Sequence, residues 1–119
     1  MSKGNIERWS FGTQNDYLIS LVLNGKKKAT SSIYVENEIG NSKLSIIVYS
    51  DGRDACLIET KEIIVLKFKE VDEGLALLEG EGSFDKWKED HYSFFISEDK
   101  LFNESTLIGF EIFELREVF

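Results

Sequence analysis

Three lysines and three hydroxyls crowd one stretch, Asn24-Gly25-Lys26-Lys27-Lys28-Ala29-Thr30-Ser31-Ser32. An amine whose basicity is lowered by burial or by neighbouring cations can take a proton from a nearby hydroxyl. Three adjacent lysines repel one another, which pushes in that direction. Lys27 and Thr30 are three residues apart, so a turn leading into a strand can bring both side chains to one pocket. A plainer account makes the lysines a solvated turn whose charge complements the C-terminal end of a preceding helix. That account leaves the hydroxyls unexplained.

A second set lies in Leu78–Phe95, LEGEGSFDKWKEDHYSFF. Glu79 and Glu81 alternate with glycines, which let the backbone approach another group closely. In an extended segment their carboxylates point apart, one toward a pocket and one toward water. Solvated loop acids are the commoner case. Trp87, His91 and Phe95 fall at i, i+4 and i+8, one face of a helix. That face is expected to pack on a sheet, with Trp87 and His91 at the boundary where a ligand can reach them. Trp9, in Arg8-Trp9-Ser10-Phe11-Gly12, either walls a pocket or fills the core. A lone histidine and a lone cysteine supply no zinc spacing, so no metal is expected. No phosphate-binding glycine loop or nucleophile elbow is present, and no cofactor is expected. Cys56, in an apolar run, reads as an inert buried thiol.

The elements that must position these residues follow from pattern. Tyr17, Leu18, Leu21 and Val22 make one apolar face of a helix over Asn15–Leu23, and Asn24-Gly25 stops it. Strands are expected at Ala29–Val35 and Lys43–Ser50, with Asp51-Gly52 turning into the next. Ala55–Val71 predicts one long or broken strand, Asp72–Leu78 a short helix, and Glu79–Gly82 irregular chain. Ser83 caps a helix running to about Phe95. Thr106–Val118 predicts a closing strand. Five or so strands with two or three flanking helices give an α+β fold or a small barrel with helical insertions.

With 119 residues, 42% of them hydrophobic, the chain is read as one domain over residues 1–119 that buries a core without staples. A single cysteine favours a reducing, intracellular setting. The stretch Met1–Phe11 lacks a secretory apolar core, and no apolar run approaches the roughly 20 residues of a membrane span. A cytoplasmic protein with no membrane partner is therefore expected. Net charge −8 argues against long nucleic acid as a partner. Yet residues 1–30 hold five basic residues and two acidic ones. A basic spot on an acidic body suits a small anionic or polar ligand. Nothing in the pattern specifies an oligomeric state.

Four segments, in order, carry a family resemblance: Trp9–Gly12 (WSFG), Leu21–Thr30 (LVLNGKKKAT), Ala55–Ile63 (ACLIETKEI) and Glu79–Phe95 (EGEGSFDKWKEDHYSFF). The chain resembles the ASCH domain family, named for homology to a human activating signal cointegrator, and looks most like its compact bacterial members. The resemblance implies a PUA-like fold, a small mixed β-barrel with flanking helices. It also implies a cleft for a nucleoside or short RNA ligand. Some bacterial members are amidohydrolases that deacetylate acetylcytidine with a threonine nucleophile, an activating lysine and an assisting glutamate. The matching residues here are Thr30, Lys27 and Glu81, with Glu79 competing for the last role. Another relative is linked to RNA cleavage. Where the amidohydrolase motif places an arginine, this chain has Ser32. Lys26 and Lys28 are the nearby cations that can contribute to binding. The open alternatives are an amidohydrolase, a non-catalytic RNA or nucleotide binder, and a ribonuclease. In the first, Trp9 or another aromatic stacks on the base.

Overall fold

The computed structural model describes residues 6–36 and 43–119. The first five residues, part of the stretch that lacks a secretory apolar core, lie outside them. The elements in chain order are β1 (Glu7–Trp9), α1 (Asn15–Leu23), β2 (Ala29–Ile33), β3 (Leu44–Val48), β4 (Asp54–Lys67), a 3₁₀ turn (Phe68–Glu70), α2 (Glu73–Leu77), α3 (Phe84–Glu98) and β5 (Leu107–Val118). The fold is α+β, a five-stranded sheet curled into a half-barrel with three α-helices.

The strand order is β1-β3-β4-β5-β2. β1 runs parallel to β3, and every other pairing is antiparallel. β5 is therefore an interior strand rather than a closing one, and β1 and β2 are the two edges. The long apolar run is a single strand, β4, whose pairing with β5 shifts register at Leu57/Ile58 and Thr60/Glu62. Such irregularities bend a strand and increase its twist, which curls the sheet.

Alternation along the strands gives the sheet two apolar faces. One face packs Ala29, Ile108 and Phe110 against Phe68, Phe102 and the Trp87/Phe95 stripe of α3. The other face packs Ile47, Cys56, Ile58 and Phe113 against Ile19 and Val22 of α1. Burial pushes the Cys56 thiol up to about 11, so it stays a neutral core group. Among the described residues, no helix is long and apolar enough to cross a membrane.

Candidate active site

Asn24 and Gly25 end α1, with Gly25 in the left-handed region at φ 76°. The Lys26 and Lys27 amides both donate to the Leu21 carbonyl, at 2.9 and 3.0 Å, and tie the lysine segment to the end of α1. The Lys28 amide donates to the Leu78 carbonyl at 2.6 Å, and its carbonyl accepts from Phe113 at 2.9 Å. This stitching turns Lys27 inward, where it is 2% exposed, and leaves Lys26 and Lys28 outside. The three adjacent lysines thus have different jobs, set by the hydrogen bonds that tie their backbone to α1, Leu78 and Phe113.

The opposite wall is the Glu79–Gly82 loop. Gly80, at φ 72°, lies so close to the Lys26 carbonyl that any Cβ there would collide with backbone. That approach lets both acids of the loop reach the same amine. Lys27 Nζ donates to Glu79 Oε1 at 3.1 Å, to Glu81 Oε2 at 2.9 Å and to the Glu79 carbonyl at 3.5 Å. All three contacts are acceptors, so the nitrogen uses the three donors of an ammonium. The Phe11 ring lies 5.3 Å from it.

Glu79 is 1% exposed and accepts on both oxygens. Oε1 faces Lys27 and, at 3.4 Å, His91 Nε2. Oε2 accepts from Ser31 Oγ at 2.6 Å and from Trp87 Nε1 at 2.9 Å. Burial alone would raise its pKa. Hydrogen bonding from His91 and Ser31 and the charges of Lys27 and His91 outweigh that and hold it well below the usual carboxylate range. Glu81 touches Lys27 while remaining partly open to solvent.

His91 Nδ1 lies 3.0 Å from the Trp87 carbonyl, and Nε2 faces Glu79. Both neighbours are acceptors, which suits an imidazolium. Burial opposes that charge, but the Glu79 hydrogen bond and the charges of Glu79 and Glu81 leave the pKa raised. The stabilisation from His91 is therefore complete below its unfolded value of 6.5 and is lost as pH rises through the folded value. That from Glu79 is complete above its unfolded 4.5 and is lost as pH falls through the folded value. Thermal denaturation across pH is expected to show a plateau between these two values. His91→Gln is expected to flatten the decline above pH 6.5; an unaltered decline would remove His91 from the balance.

A cavity of about 440 Å³ opens over this cluster, a size suited to a small ligand. Lys27, Thr30, Ser31, Glu79, Glu81 and His91 line it. Phe11 and Leu18 contribute apolar wall, and Tyr17 and Phe94, both exposed, offer aromatic rings. Lys86 and Asp90, an ion pair of α3, also line it. Asn15 places Phe11: its Oδ1 accepts from the Phe11 amide and its Nδ2 donates to the Val48 carbonyl.

The sequence candidates thus divide. Lys27, Thr30, Glu79, Glu81 and His91 meet at one cavity. Trp87 lies beneath it, 1% exposed, holding Glu79 and stacking on His91 with 4.5 Å between centroids. Trp9 is half-buried and stands edge-on to Phe11, so it supports a wall residue rather than lining the cavity. Lys26, Lys28 and Ser32 are exposed and do not line it. Sequence reasoning passed over Ser31, Phe11, Tyr17 and Phe94. It also passed over Lys86–Asp90, whose i,i+4 spacing was a legible signal. Ser31 carried none, since only the strand's phase decides which of three neighbouring hydroxyls faces Glu79.

Ligand atoms of Glu79, Glu81 and His91 lie within 4.8 Å of one another, a spacing compatible with a metal ion. The Lys27 ammonium already serves as the cation between the two carboxylates, and Glu79 Oε2 is occupied by Ser31 and Trp87. A metal would have to displace that lysine.

The family model described as ASCH domain matches residues 7–117. An ASCH domain structure from Lactobacillus crispatus JV V101 superimposes with a TM-score of 0.86 at 25% identity, covering 98% of this chain and 87% of that one. A DUF984-family protein from Enterococcus faecalis V583 gives 0.81 at 25% identity, covering 94% and 77%. No curated protein matches the sequence. These likenesses place the curled sheet and its helices in the PUA-like class.

Proposed function

Because the chain belongs to the ASCH domain family, we propose that its cavity binds an uncharged acylated nucleobase or nucleoside, of the acetylcytidine type, and hydrolyses the amide. The carrying observation is the Lys27 ammonium held by Glu79 and Glu81 in a cavity that Thr30 shares. Thr30 attacks the amide carbon to give an acyl-enzyme. Lys27 activates it by charge, lowering the cost of negative charge on Thr30 Oγ1 and on the carbonyl oxygen. Glu81, 2.9 Å from Lys27 and partly open, passes a Lys27 proton to the departing amine. Glu79, bound on both oxygens, holds Lys27 and takes no part in proton transfer. Phe11, Tyr17 and Phe94 supply faces against which a base can stack.

The pairing of charges favours this reading over RNA binding or RNA cleavage. Lys27, Lys86 and His91 line the cavity, and each already faces a carboxylate. A phosphate would have to compete with those acids for its cation.

The test is incubation with acetylcytidine, following cytidine release by chromatography at low and physiological salt. Turnover is expected from wild type with little dependence on salt. Glu81→Gln is expected to lower kcat by about a hundredfold. A folded wild type that leaves acetylcytidine intact, yet binds RNA with steep salt dependence, would overturn the reading.

A further inference from the structure

The Lys27 nitrogen spends all three donors on acceptors and presents no lone pair to Thr30. The proton of Thr30 therefore needs another destination. Thr30 lies on β2 directly opposite Glu111 of β5. Residues paired across an antiparallel ladder point to the same face, with Cβ atoms about 5 Å apart. Glu111 is half-buried next to Thr30 and not among the residues that line the cavity, and among the described residues its carboxylate has neither an ion pair nor a hydrogen-bond donor. Its other cross-strand neighbour, on β4, is the uncharged Ile63.

We propose, resting on Thr30 as the nucleophile, that Glu111 is a further catalytic residue of this site, the group that takes and later returns the Thr30 proton. As Oγ1 bonds to the amide carbon, its proton passes to a Glu111 oxygen and the carbonyl π pair moves onto oxygen. Collapse of that intermediate breaks the C–N bond, and the amine leaves with a proton drawn from Lys27 through Glu81. The acyl-enzyme then holds a neutral Lys27 and a protonated Glu111. Water adds to the ester and gives one proton to Lys27. The ester C–O pair returns to Oγ1, which recovers its proton from Glu111. The carboxylic acid departs, and both groups regain their starting charges.

The surroundings of Glu111 suit a carboxyl that must hold a proton through an intermediate. Burial, and then the charge of Glu7 on β1, move its pKa above the ordinary glutamate value.

Glu111→Gln is expected to lower kcat for acetylcytidine about a hundredfold or more while KM stays unchanged and the thermal midpoint does not fall. The acid limb of the kcat–pH profile is expected to vanish with it, and Glu111→Asp to restore part of the rate. A second readout needs no substrate. In carbon-13 NMR, the Thr30 Cβ shift is expected to follow the Glu111 carboxyl titration, and to lose that inflection in Glu111→Gln. A Glu111→Gln enzyme with wild-type kcat and pH profile would overturn the proposal, as would a Thr30 resonance indifferent to Glu111. If wild type hydrolyses no acylated amine while Thr30 still follows Glu111, the amide reading fails and Glu111 stands as the proton partner of Thr30.

Discussion

Thr30→Ala is expected to abolish acetylcytidine turnover, a loss on the order of 10⁴-fold or more, while affinity for the nucleoside changes only a few-fold. Removing a nucleophile costs far more than removing a helper, because every later step passes through its covalent intermediate. Thr30 is half-buried at the cavity wall, so its methyl and hydroxyl contribute little to the core. Stability should stay near wild type, which separates chemistry from folding. Mass spectrometry of wild type quenched during turnover should show one acetyl group on the peptide containing Thr30. Measurable turnover by Thr30→Ala, or unaltered turnover with no acetylated peptide, would show that Thr30 is a contact rather than the nucleophile.

Lys27→Met is expected to remove about 3–5 kcal/mol of stability, a large share of the roughly 5–15 kcal/mol available to a domain. Methionine approximates the stem of lysine, so the loss comes from charge rather than from a hole. Glu79, with side-chain exposure of 2%, would keep its Ser31 and Trp87 donors but lose its nearest cation. His91 still balances part of that charge, which puts the loss toward the lower end of the range. Adding Glu79→Gln to Lys27→Met should recover more than about 1 kcal/mol, because the orphaned charge is gone. Urea denaturation of the two single variants and the double variant reads both effects. A Lys27→Met loss under about 1 kcal/mol would mean that Glu79 is not held as a buried anion by Lys27.

Much of this architecture is legible in the residue pattern alone. The bounds of α1 agree with the pattern that ends at Asn24-Gly25, but its buried face is Ile19, Leu21 and Val22, while Tyr17 and Leu18 turn to the cavity instead of the core. Ser83 caps α3 as its position predicts, its hydroxyl accepting from the Lys86 amide. Asp72 caps α2 by the same geometry. β1 is not legible, because three residues paired in parallel to β3 leave no periodic trace. The interior position of β5 is hidden too, since alternation reports which side of a strand is buried but not which strands flank it. At the site, residue types expose Lys27, Thr30 and the two glutamates. What they do not reveal is the difference between Glu79 and Glu81. Both sit in the same glycine-rich loop, and only Trp87 and Ser31, contributed by α3 and β2, make one of them fixed. Glu111 is invisible for a related reason, as its relation to Thr30 exists only in the β2–β5 register.

The bond between Lys27 and Glu79 spans 52 positions of the chain. Its partners meet only after β2 has docked on β5 and the Glu79–Gly82 loop has closed on the lysine segment. Two charges gain from meeting in a dry place only once that place is dry, so their contact belongs to the last stage of folding. Lys27→Met is accordingly expected to give a φ-value near zero when folding and unfolding rates are compared with wild type, and a value near one would place the contact in the folding nucleus instead. A contact made that late leaves the rate of folding almost untouched and lengthens the life of the folded state. The buried cluster that prepares the site is thus also a latch, closed last and opened first.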